Sequence, residues 1–185
     1  VLCRMFPAAD IPVVQLSLIV RAGGGNDPAG RFGTASLTAA MLDEGAGTRS
    51  SLEIADLVDF LGATLTTASS FDASFVRLNV PVQRLDEALP LFADVALRPT
   101  FPEKELERLR QERLTALLQA RDDAASVAGM VFARVVFGAD HRYGTGLAGN
   151  ETSLKTISAG DVRAFHASYY QPPNATLLVV GDTTA

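Results

Sequence analysis

Two histidines and one cysteine are the scarce reactive side chains of this 185-residue sequence, and none of them has obvious company. His141 lies in Asp140-His141-Arg142-Tyr143-Gly144, and His166 in Phe165-His166-Ala167-Ser168-Tyr169. A zinc site needs at least three protein ligands, and neither segment supplies them. His166 reads as a partly buried helix histidine. Cys3 stands alone, and a catalytic thiol requires a neighbouring base. The carboxylate pair Asp43-Glu44 is expected to cap or solvate a helix end. Gly23-Gly24-Gly25 lacks the Gly-Lys-Ser/Thr ending of a phosphate loop and does not open a parallel unit, so it reads as a strand-to-helix loop. The charged run Glu103 to Arg113 fits a solvated helix face with i,i+4 pairs; a partner-binding helix is its functional alternative. No acid, base and nucleophile converge, so an independent catalytic site is not expected.

The elements that would have to position such residues are legible from periodicity. Val14, Leu16, Leu18 and Val20 alternate with Gln15 and Ser17, the two-residue period of a half-buried strand. A short helix is expected over residues 33–44, rich in small side chains. A second follows a cap at Ser50 or Ser51 and stops at Gly62. Strands are expected at 64–69 and 75–82, then helices at 85–97, 103–122 and 124–137. Leu106, Leu109, Ala116, Leu117 and Ala120 form the apolar stripe of the longest one. A loop over 138–150, a helix over 161–169 and a strand over 175–180 complete the pattern. The expected class is α+β, an antiparallel sheet packed on one face by helices. With 48% hydrophobic and 20% charged residues the chain can build a core. Its net charge of -5 and lack of a basic stripe argue against nucleic acid as a partner. No apolar run has the length of a membrane span. Strand patterns near both ends give the expectation of one domain, 1–185, excised from a longer chain.

Several segments, taken in order, resemble the pitrilysin/insulinase-type metallopeptidases. They are Gly33-Thr34-Ala35 before Ser36 to Ala40, Gly62-Ala63-Thr64-Leu65, Arg98-Pro99-Thr100-Phe101-Pro102, the helix with Glu112 and Arg113, and Tyr169-Tyr170-Gln171-Pro172-Pro173-Asn174-Ala175 leading to Val179-Val180-Gly181-Asp182. Each string alone recurs by chance; their order and spacing are specific. In that family the first helix carries His-x-x-Glu-His, two imidazoles on zinc and a glutamate that activates water. Here Ser36, Ala39 and Ala40 hold those places. The family's third ligand is a glutamate seven residues after another glutamate, on one helix face. The earlier acid is present as Glu112, but the ligand position is Gln119, a neutral amide and a poor zinc ligand.

The resemblance therefore implies a metallopeptidase-like fold with no catalytic residue, no cofactor-binding residue and no metal of its own, the degenerate positions being Ser36, Ala39, Ala40 and Gln119. It implies that zinc belongs only to an active homologous half or subunit, which this chain would join to shape a chamber for a peptide substrate. The alternative is a structural or binding module in an assembly with no peptidase partner. His141 falls where the family has His-Pro-Tyr-Gly, a segment that shapes a loop. A periplasmic or secreted bacterial setting is the family-level expectation.

Overall fold

The alternation at residues 14–20 produces the central strand of a five-stranded sheet. In a computed structural model, residues 2–7, 12–139 and 141–181 are described. Asp182 of the closing Val-Gly-Asp string, Asp140 and the side chain of Cys3 lie outside the described residues. The strands are β1 (Leu2–Pro7), β2 (Val13–Val20), β5 (Thr64–Ser69), β6 (Ser74–Pro81) and β7 (Ala175–Gly181), in the order β1-β7-β2-β6-β5. β2 pairs antiparallel with β6 and with β7, so Leu16 stands between Leu78 and Val179. β5 and β6 form the expected antiparallel hairpin. β1 joins the far edge parallel to β7. β7 is thus antiparallel to β2 on one side and parallel to β1 on the other, which makes the sheet mixed at that edge.

One face of the sheet is buried and the other is solvated. Val14, Leu16, Val20, Val76, Leu78 and Val80 face the core, while Gln15, Arg77 and Asn79 point away. The helices are α1 (Thr34–Ala40), α2 (Ser51–Phe60), α3 (Leu85–Leu97), α4 (Glu103–Ala120), α5 (Ala124–Phe137), α6 (Glu151–Thr156) and α7 (Ala159–Tyr169), and they gather on the buried face except for α5, which has no buried residue. A two-residue hairpin, β3 (Gly45–Ala46) and β4 (Arg49–Ser50), separates α1 from α2. Ser50, not Ser51, caps α2. Its Oγ accepts from the Glu53 amide while the Glu53 carboxylate accepts from the Ser50 amide at 2.8 Å, a reciprocal capping box.

Three expectations shift. α1 ends at Ala40, because Met41 to Glu44 turn the chain into β3. α6, six residues capped by Asn150, is too short for periodicity to reveal. The α4 stripe is half right: Leu106 is buried and Leu109 and Leu117 are partly buried against the core, but Ala116 is exposed. The second half of α4 has left the sheet and runs out with α5.

Candidate functional site

The motif helix α1 is aimed by residues outside it. Its start has no side-chain cap of its own, since the N-cap is Gly33. Asp27 fills that role from six residues upstream. Its two carboxylate oxygens accept from the Gly33 amide at 2.6 Å and the Ala35 amide at 2.7 Å. Negative charge at a helix start also suits the helix dipole. The carboxylate side chain is fully buried and pairs with Arg142 at 2.8 Å. Burial pushes the Asp27 carboxyl up, against the pull of the two amides and Arg142. Arg142 also donates to the Gly24 carbonyl at 2.7 Å and to Thr145, and lies 4.2 Å over the Phe32 ring. Around this pair, two glycine backbones meet face to face. Gly33 (φ +100°) lies against the Ala148 carbonyl and Gly149 (φ +84°) against the Phe32 carbonyl, which also accepts from Ser153 Oγ at 2.7 Å.

With α1 so fixed, the four positions that the resemblance equates with the family's zinc site carry a hydroxyl, two methyls and an amide. Ser36 and Ala40 are half-buried, Ala39 is buried, and Gln119 is exposed on α4. That donor set does not fit zinc, which takes imidazole, thiolate or carboxylate in tetrahedral sites. Glu112, the acid that the resemblance equates with the family's first glutamate on this helix, is held by Arg108 at 2.7 Å. Arg108 also pairs with Glu105 at 2.7 Å and with Glu44 beyond the end of α1. Glu44 is thus a strut between α1 and α4, and the three carboxylates hold the Arg108 guanidinium well above its ordinary range. Asp43 turns the other way, toward the Thr67 hydroxyl at 3.4 Å, and burial pushes its carboxyl up.

The charged face of α4 is less solvated than its composition implies. Arg110 is nearly buried and donates to the Leu154 carbonyl near the end of α6 and, at 2.7 Å, to that of Ile157 just past it. Arg113 donates to the Ser36 carbonyl at 2.8 Å, and its other terminal nitrogen is buried with no partner among the described residues. Burial pulls the Arg113 guanidinium below its usual range. Because a buried charge without a carboxylate gives little net stability, Arg113→Met should leave the domain equally stable or more stable by about 1–2 kcal/mol. Urea unfolding of the two proteins measures this. A loss above about 1 kcal/mol would mean that the Ser36 contact outweighs desolvation.

The two histidines sit far apart. His141 Nδ1 accepts from the Tyr143 amide at 3.1 Å, and its ring stacks 6.0 Å from Phe137, shaping the turn that presents Arg142. His166, on α7, donates from Nε2 to the Ala96 carbonyl at 3.0 Å and stacks on Tyr170. Burial lowers its pKa. The folded state therefore prefers neutral His166, and stability is lost as pH falls below the unfolded value of about 6.5. His166→Gln should flatten the fall in Tm between pH 7.5 and 5.5; an unchanged slope would assign that dependence elsewhere. Among the described residues, no group of three or more His, Cys, Asp or Glu side chains could hold a metal ion. No described helix is long and apolar enough to cross a membrane. An apolar cleft of about 390 Å³ lies between α3 and β7, lined by Leu18, Phe92, Leu97, Tyr170 and Leu177, away from the α1 motif.

By fold, an α+β domain with helices packed on one face of a largely antiparallel sheet, this is a metallopeptidase-like domain. Known proteins agree. The family model for insulinase (peptidase family M16) matches residues 8–135, and that for the peptidase M16 inactive domain matches residues 156–185. The chain belongs to the insulinase family, peptidase family M16. It is 26% identical to the zinc protease PqqE of Helicobacter pylori over 94% of its own length and 39% of that protein's. It is similar to a solved peptidase M16 inactive domain from Pseudomonas fluorescens, with a TM-score of 0.94 and 29% identity, covering 98% of this chain and 44% of that one. The periplasmic protease PqqL of Escherichia coli shares the fold, with a TM-score of 0.88 and 20% identity over 99% of this chain and 21% of PqqL. The chain thus spans about two fifths of the length of the curated relatives it matches.

Proposed function

We propose that this chain is one unit of a longer M16 protein and forms a wall of a peptide chamber whose zinc lies in an active homologous half. The observation that carries this reading is the contrast at α1. The helix is held by Asp27, Gly33 and Arg113 while Ser36, Ala39, Ala40 and Gln119 supply no metal ligand. Peptide cleavage needs both a metal-activated water and a substrate held in place, and only the first task needs the residues that are absent. The zinc protease and inactive-domain relatives support the pairing. PqqL, described as periplasmic, supports a periplasmic setting.

The test is reconstitution. The unit formed by residues 1–185 should by itself bind no stoichiometric zinc and cleave no peptide. Assembled with a half that carries His-x-x-Glu-His, it should raise that half's kcat/KM for peptides at least tenfold. Stoichiometric zinc lost on His141→Ala would overturn the metal assignment. A stable native assembly without any zinc-bearing half would favour the structural module instead.

A further inference from the structure

Helix α5 has no buried residue, although it is the most apolar helix in the chain. Met130, Val131, Phe132, Val135, Val136 and Phe137 are all exposed, Phe132 at 69% and Val135 at 78%, and Arg134 is the helix's only charge. Leu118, on the outgoing half of α4, extends the surface at 56%. At 100° per residue, Val131 and Val135 lie on one side of α5, Phe132 and Val136 on the next, and Met130 with Phe137 on a third. A helix apolar around most of its circumference is ordinarily enclosed. The exposed area of these side chains is on the order of 600–800 Å², taking ~150–200 Å² for each fully exposed one. That is above the ~300–600 Å² of the largest patch on an ordinary monomer and near the ~800 Å² per partner of a stable interface.

Two observations choose the occupant. The relatives and solved structures that match nearly the whole of this chain are more than twice its length, so each carries further polypeptide of at least this chain's size. A two-fold contact between copies, in turn, applies one patch to itself. It would cover one side of α5 and leave the others bare, whereas a covalently linked unit can wrap the arm. We propose that α5, with the outgoing half of α4, is the arm around which a further domain-sized unit of the same polypeptide closes. This rests on the reading of the chain as one unit of a longer M16 protein, and not on whether the enclosing unit holds zinc.

The experiment is hydrogen exchange on the whole protein, followed at the amides of residues 124–137. The unsubstituted protein should protect them at least 100-fold more than the Phe132→Asp/Val135→Asp variant, with the β2 and β6 amides equally protected in both. Phe60→Asp, at a 66% exposed position on α2, should leave α5 protection unchanged. If the double aspartate variant does not fold, Val131→Thr and Val135→Thr should give a graded loss. Rapid exchange of α5 in the unsubstituted protein would overturn the proposal. So would protection that disappears on dilution from dimer to monomer, which would make a second copy the occupant. Loss of peptidase stimulation with α5 still protected would refute the chamber function and leave the enclosed arm standing.

Discussion

Arg142→Ala should destabilise the domain by about 3–5 kcal/mol at pH 7, as expected when a buried carboxylate loses its partner. The Asp27 side chain is fully buried, and without Arg142 the Gly33 and Ala35 amides are its remaining partners among the described residues. The loss should shrink on acidification. Burial already raises the folded pKa of Asp27, and removing one of the groups that lower it raises it further. A group whose folded pKa lies above its unfolded value favours folding while protonated, and that advantage is lost as pH rises through the folded pKa. The stability gap between Arg142→Ala and the unsubstituted protein should therefore be narrower at pH 4.5 than at pH 7, in guanidinium titrations at both values. A gap that widens at low pH would show that the Gly24 and Thr145 contacts of Arg142, and not its charge, dominate. Arg142→Lys should recover part of the loss, since it keeps the charge and gives up the fork.

The second large effect is expected at the two facing glycines. A methyl group on Gly33 would meet the Ala148 carbonyl oxygen at 2.4 Å, and one on Gly149 would meet the Phe32 carbonyl oxygen at 2.0 Å. Both residues also have positive φ, which costs a non-glycine residue about 1–3 kcal/mol before any clash. Gly33→Ala and Gly149→Ala should each cost about 3–5 kcal/mol, adding the overpacking term. Because both press on one junction, the double variant should lose clearly less than the sum of the two. Full additivity in thermal or denaturant unfolding would mean that the segments do not bear on each other. Through Ser153 and Phe32 this junction links the entry of α6 to that of α1, so the loosened variants should also exchange α1 amides faster.

Much of this arrangement could be read from residue order. The alternation at Val14 to Val20, the cap before Leu52 and the break at Pro99 to Pro102 are local signals, and local signals survive into the fold. What escaped depends on residues that are distant in sequence. Asp27 looked like part of a loop, since a helix cap is sought immediately before the helix and not six residues earlier. Glu112 was visible as an acid, but its tie to Arg108, and through it to Glu44, needs α1 and α4 side by side. The charged face of α4 read as solvated, yet Arg110 and Arg113 leave it for α6 and α1. The apolar positions of α5 predicted a helix correctly and said nothing about whether its own domain would cover it.

The placement of β7 has a consequence for how the chain is made. The strand that is synthesised last among those described, Ala175–Gly181, stands between β1 and β2, and among the described residues β1 pairs with β7 alone. The Asp27–Arg142 pair likewise joins residues 115 apart. During translation, β2, β6 and β5 can form a three-stranded sheet, but its β2 edge stays open and apolar until residue 181 leaves the ribosome. Contacts this distant slow folding, and an open edge of this kind recruits foreign strands. A nascent chain stalled before Ala175 would be a good client for chaperones that shield unpaired strands, while one stalled with Gly181 already clear of the ribosome would not.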